Sequence, residues 1–98
     1  APKGIPLEKI LEYVWHSETK SPYQNHDEDF LLGKNEDTAY YFYYTKNAIT
    51  TLDIDFLRLI KTKADQYIIY ADNCLLERKL LDKYHIIFKK IPRDISRF

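Results

Sequence analysis

Residues 39–44 read Ala-Tyr-Tyr-Phe-Tyr-Tyr, five aromatic rings in succession. No other feature narrows the fold as much. Such a run is strongly strand-prone, and in a strand successive side chains point to opposite faces. Tyr41 and Tyr43 therefore share one face, and Tyr40, Phe42 and Tyr44 share the other. The phenol oxygens need water or a partner at the edge of the core. Phe30-Leu31-Leu32 precedes the run, and Gly33-Lys34-Asn35-Glu36-Asp37 between them is turn-like. The two apolar stretches are thus expected to form an antiparallel aromatic hairpin.

Ahead of the hairpin, Leu7, Ile10, Leu11 and Val14 fall at i, i+3, i+4 and i+7, with Pro6 suited to a first helical turn. The spacing predicts an amphipathic helix within residues 1–17, stopped before Ser21-Pro22. Residues 18–29 are polar, acidic and without period, and are expected to be a loop that Trp15 and Tyr23 can anchor.

Beyond residue 47 helix and strand patterns alternate. Asp53 is a candidate N-cap for a helix running to about Lys63, with Phe56, Leu57, Ile60 and Ala64 facing inward. Tyr67-Ile68-Ile69-Tyr70-Ala71 is a continuous apolar run, the pattern of a strand buried on both faces. Asp72-Asn73 offers a cap for a second helix in which Leu76, Leu80 and Leu81 pack. His85-Ile86-Ile87-Phe88 is a last strand ending at Lys89-Lys90, which Pro92 keeps from continuing as a central strand. The expected fold is α/β: one domain over residues 1–98, with a small mixed sheet made of the antiparallel hairpin and a β-α-β-α-β unit of mainly parallel strands.

Composition agrees with a small globular domain. The 98 residues are 45% apolar and 31% charged, with one cysteine and two glycines. Cys74 alone makes no internal disulfide and no cysteine-based metal cluster. No apolar run approaches the ~18 residues of a membrane span, and no signal-peptide pattern opens the chain, so no membrane partner and a cytoplasmic location are expected. A chain that starts Ala-Pro-Lys-Gly and lacks methionine is expected to be part of a longer one. Its zero net charge hides an asymmetry. Residues 1–49 carry five lysines against eight carboxylates, and residues 50–98 carry ten basic residues against seven acidic ones. Lys89, Lys90, Arg93 and Arg97 crowd the basic end. They are candidate contacts to a DNA backbone or an acidic partner, set against the alternative of a solvated surface.

Catalytic patterns are sparse. Gly4 and Gly33 stand alone, so neither a phosphate-binding loop nor a dinucleotide fingerprint can be built. His16, His26 and His85 are scattered, and His26 beside Asp27 and Asp29 reads as an acidic solvated loop before it reads as a metal site. Glu77-Arg78-Lys79 has the acid–x–lysine spacing of metal-dependent nucleases, with Asp53, Asp55 and Asp72 upstream. That chemistry needs the pair on a strand, where residues two apart share a face; a helix does not provide this. Asp72 lies just past the carboxyl end of a buried strand, where open α/β sheets bind ligands, so it is a candidate centre for a nucleotide or metal as well as a candidate cap. Tyr41 and Tyr43 are candidates for a protein interface if the hairpin face is open, and core residues if it is covered. No residue is assigned a catalytic role.

The stretch from Asp37 onward, above all Ala39–Lys46, Thr50–Asp53, Ile60–Lys63, Tyr67–Leu75 and Ile87–Phe98, resembles the C-terminal domain of the modification subunits of type III restriction–modification systems, which are adenine-specific DNA methyltransferases. In that family a segment like Phe-Lys-Lys-Ile-Pro-Arg-Asp-Ile closes the polypeptide, which implies that Phe98 is a natural terminus and Ala1 an engineered start. The resemblance covers roughly the last sixty residues well and the first thirty-six poorly. It implies a parent enzyme that transfers a methyl group from S-adenosylmethionine to adenine. That enzyme needs a glycine-containing cofactor loop and an Asp-Pro-Pro-Tyr-type motif for the flipped base. Neither is present; Ser21-Pro22-Tyr23 is a chance echo. The resemblance thus implies an accessory domain without a cofactor of its own. It would assist assembly with a second modification subunit or the restriction subunit, or contact DNA. A small protein-interaction module, or the Asp72-centred binding domain, is the alternative.

Overall fold

A computed structural model describes residues 7–91 of the chain. In order these form α1 (Leu7–Thr19), β1 (Leu31–Asn35), β2 (Thr38–Phe42), β3 (Thr51–Leu52), α2 (Ile54–Leu59), β4 (Gln66–Ala71), β5 (Asn73–Cys74), α3 (Arg78–Lys83) and β6 (Ile86–Lys90). The main sheet has the order β1-β2-β4-β6. β1 runs antiparallel to β2, while β2, β4 and β6 are mutually parallel. The mixed α/β sheet expected from the pattern is the one observed.

Register explains how the aromatic run fits. Tyr40 lies beside Ile68 and Tyr41 beside Ile69, so each face of the sheet carries a row of large apolar groups. On one face Tyr40, Phe42 and Ile68 pack with Leu32 and with Ile10, Val14 and Trp15 of α1. On the other, Tyr41, Ile69 and Ala71 pack with Leu52, Phe56 and Leu76. The alternation of the five rings is therefore as the period-two rule predicts, and helices cover both faces.

α1 is longer than expected. It runs to Thr19 and stops where Lys20 adopts a left-handed φ of 60°, its N–H closing on the His16 carbonyl at 2.8 Å. Trp15 fixes the following loop by donating from Nε1 to the Pro22 carbonyl at 3.0 Å. Gly33 was expected in the turn and instead sits inside β1, at a register shift between Leu31 and Gly33. The turn is made by Glu36, with φ of 56°, and Asp37.

The two crossovers between parallel strands depart furthest from expectation. Asp53 does cap α2, accepting from the Phe56 N–H at 2.9 Å. The helix ends at Leu59 rather than near Lys63, because tertiary partners take the next donors: the Lys61 N–H goes to Glu28 and the Ala64 N–H to the Tyr67 hydroxyl. Asp72-Asn73 does not cap a helix. The N–H groups of Asn73 and Leu75 bond to the carbonyls of Thr50 and Leu52, so β3 and β5 pair in parallel and α3 cannot begin until Arg78. Glu77 takes the N-cap position without a side-chain cap bond. His85, expected to open the last strand, turns the chain with a φ of 56°, and β6 extends through Lys89 and Lys90. Among the described residues no helix is long and apolar enough to cross a membrane.

Gly33 gives a direct check on the packing of α1 against β1. Its φ is +154°, and a Cβ there would lie 2.8 Å from Trp15 Cη2 and 3.1 Å from Cζ3. Overpacking of this kind costs about 1–3 kcal/mol, and a domain of this size loses roughly 4–8 °C of Tm per kcal/mol. Gly33→Ala is expected to lower Tm by at least ~5 °C in a thermal melt. An unchanged Tm would mean that the Trp15 ring does not lie over Gly33.

Candidate functional site

In an open α/β sheet the place to look is the carboxyl end of the parallel strands. Here β4 and β6 deliver Tyr70, Asp72, Lys89 and Lys90. Asp72 is 5% exposed, and its Oδ2 accepts from the Thr50 N–H at 2.8 Å. Thr50 is itself buried. Its hydroxyl donates to the Tyr43 carbonyl at 2.6 Å and accepts from the Asp72 N–H at 3.2 Å. The carboxylate is a strut joining the end of β4 to the segment entering β3.

On the α1 face, Glu18 Oε2 accepts from the Tyr70 hydroxyl and from Lys89 Nζ, both at 2.6 Å. The ammonium also lies 5.8 Å from the centre of the Tyr70 ring. Burial, and then the bond to Glu18, push the Tyr70 phenol well above its ordinary value, so it stays a neutral donor. Lys89 is thus paired with Glu18 within the chain, with its side chain 41% exposed. Lys90 is exposed and, as the next residue of the strand, projects to the opposite face. Arg93 and Arg97 lie outside the described residues. The expected basic cluster is divided at its first two members.

Of the two interface candidates, Tyr41 is corrected, because it is closed off from any partner. Tyr41 is 1% exposed and donates its hydroxyl to Glu28. Tyr43 is half-buried and stacks on Phe56 with centroids 4.4 Å apart, its edge toward Phe30 at 4.8 Å. Tyr41 belongs to the core of the second face, and Tyr43 packs against that core from its margin. Burial and the bond to Glu28 push the Tyr41 phenol upward.

Glu28 is a residue that the sequence pattern hid, since it falls in an acidic loop that resembles solvated surface. Besides Tyr41 it accepts from the Lys61 N–H and the Thr62 hydroxyl, each at 2.7 Å. It ties the loop before β1 to the loop after α2. Burial raises its pKa, but these donors outweigh burial and hold the carboxyl below its ordinary value.

The pattern also missed an apolar trench between α2 and α3. Ile54 and Leu57 form one wall, Leu80 and Tyr84 the other, with Tyr67 and Ile86 beneath, enclosing about 420 Å³. Ile54 lies outside the inward stripe read for α2, and that surplus apolar residue was the available signal. Among the described residues no group of three His, Cys, Asp or Glu side chains could hold a metal ion.

The Glu28 staple has a defined pH signature. A carboxyl whose folded pKa is depressed stabilises fully above its unfolded value, about 4.5, and loses that contribution as pH falls through the folded value. Glu28→Gln is expected to cost about 1.5–3 kcal/mol at pH 7, the range for bonds to a charged acceptor. The gap between wild type and variant in urea unfolding should narrow below pH 4.5. An equal gap at pH 7 and pH 3 would contradict the assignment.

No family model, curated protein or solved structure matches this chain.

Proposed function

We propose that the chain is a non-catalytic C-terminal domain of an adenine-specific DNA methyltransferase subunit of a type III restriction–modification system. In this reading it works in the cytoplasm and helps to assemble that enzyme or to hold its DNA. The methyl donor, S-adenosylmethionine, belongs to another part of the parent enzyme. The partners are DNA, and the restriction subunit or a second modification subunit.

The observation that carries this reading is where the resembling segments fall. Ala39–Lys46 includes most of β2, Thr50–Asp53 supplies the Asp72 strut and the α2 cap, Tyr67–Leu75 spans most of β4 with β5, and Ile87–Phe98 begins within β6. These residues have architectural duties, which is what a resemblance to a whole domain requires, as opposed to a resemblance to an active site. The strand-end carboxylate Asp72, and Glu18 of α1, are likewise engaged in bracing. Both features favour an accessory role.

Two measurements test it. The reading frame upstream of the codon for Ala1 is expected to encode a glycine-containing cofactor loop and an Asp-Pro-Pro-Tyr-type motif. A frame without them overturns the proposal. In that parent enzyme, changing Lys90, Arg93 and Arg97 together to alanine is expected to reduce the slope of log Kd against log salt by about 2–3, since each neutralised phosphate contributes roughly 0.9. An unchanged slope removes DNA contact by these residues and leaves assembly as the role.

A further inference from the structure

The face covered by α1 holds a cavity of about 470 Å³ between that helix, the loop before β1 and the outgoing end of β2. Leu7 and Leu11 of α1 line one side, Phe42 lies at the base, and Tyr23 and Tyr44 border it. Phe42 is 2% exposed and belongs to the core, while Leu11, Tyr23 and Tyr44 pack half-buried against that core. The Phe42 and Tyr44 rings lie 5.8 Å apart, inclined by 31°. The volume is that of a small-molecule site, and apolar walls with a few polar groups are its usual lining.

The polar residues of this cavity are biased to one sign. Glu28, Asp29 and His26 line it, and among the described residues no lysine or arginine does. The donors that hold Glu28 are the Tyr41 and Thr62 hydroxyls and the Lys61 N–H. All are uncharged, so the carboxylate keeps its full charge. Among the described residues neither Glu28 nor Asp29 forms an ion pair. Burial first, and then the charges of Glu8 and Glu12 on α1, push the Tyr23 phenol upward, so that ring stays neutral. Lys9 pairs with Glu12 at 3.7 Å and offsets that one charge.

We infer that this cavity binds an alkylated ammonium group carried on a short apolar stem. The head sits between Tyr23 and Tyr44 beside Asp29 and Glu28, and the stem lies along Leu7 and Leu11. Tyrosine rings attract a cation through the negative charge of their faces, and the carboxylates add a field of the same sense. An alkylated head needs no hydrogen-bond acceptor, which suits a site where Glu28 is already engaged. A primary ammonium is strongly hydrated and would give up more water on entry. An anion, a phosphate included, is repelled by the same carboxylates. The inference rests on this cavity alone and does not depend on the parentage of the chain.

Three probes that share a stem and differ in the head test it: hexyltrimethylammonium, hexanol and hexanoate. They are titrated into the unmodified 98-residue chain at about pH 8, where an ordinary imidazole is neutral. The cation is expected to shift the amides of Leu11, Tyr23, Asp29 and Tyr44 saturably, with an affinity that falls as salt rises. Hexanol should bind about tenfold more weakly, and hexanoate more weakly still. Asp29→Asn, at an exposed position, is expected to weaken the cation by about two- to fivefold and to leave hexanol unchanged. Tyr44→Phe should keep cation binding and Tyr44→Leu should weaken it about fivefold, the amide spectrum reporting that each folds. The N-acetylated amide of trimethyllysine carries the same head as a protein side chain would. Tighter binding of it than of hexyltrimethylammonium assigns the head group to a modified protein, and weaker binding assigns it to a free cation. Equal affinity for the three hexyl probes, shifts confined to α2 and α3, or undiminished cation binding by Asp29→Asn would each overturn the proposal.

Discussion

The structure depends on the parallel pairing of β2 with β4, two strands flanked on both edges and covered on both faces. An aromatic strand in that position brings hydroxyl groups into an apolar interior, where an unpartnered polar group is costly. The solution is repeated. Tyr41 reaches Glu28, Tyr70 reaches Glu18, and Tyr67 donates to the Thr62 carbonyl while accepting from the Ala64 N–H. Trp15 does the same on α1 with the Pro22 carbonyl. Each ring fills the core with its body and holds a peripheral segment with its tip. The loop of residues 20–30 and the loop after α2 are fixed in this way although they contain little regular structure.

Period-two alternation was enough to sort Tyr40, Phe42 and Tyr44 from Tyr41 and Tyr43, and a continuous apolar run was enough to place β4. These features were legible because they are local. The start of α3 was not. Asp72-Asn73 has good capping chemistry, but a long-range ladder to Thr50 and Leu52 takes the backbone donors that a helix would need to leave free. α2 ended early for the same reason, when Glu28 captured the Lys61 N–H. Gly33 was misplaced because Gly-Lys-Asn resembles a turn, while its use is to let the Trp15 ring approach the strand. In each case a contact distant in sequence outweighed a local preference of about 1 kcal/mol.

The same holds for charge. The acidic first half and basic second half suggest a surface divided between partners, yet Glu18 from the first binds Lys89 from the second. Glu28, also from the acidic half, is satisfied by donors at positions 61 and 62. Part of the asymmetry is therefore internal cohesion. What remains for an outside partner is smaller than the formal charges suggest.

The sizes of the crossover elements explain why a trench is left open between α2 and α3. α2 and α3 have six residues each, about 9 Å of helix. β4 also has six residues, and at roughly 3.3 Å per residue spans about 20 Å. Helices that short cannot cover the length of the strands beneath them. The paired β3 and β5 fill part of the difference, placing Leu52 in the core, but they leave the trench along α2 and α3 open. α1, with thirteen residues, runs about the full length of the sheet. The difference between one long helix and two short ones thus decides where the trench between α2 and α3 stays open.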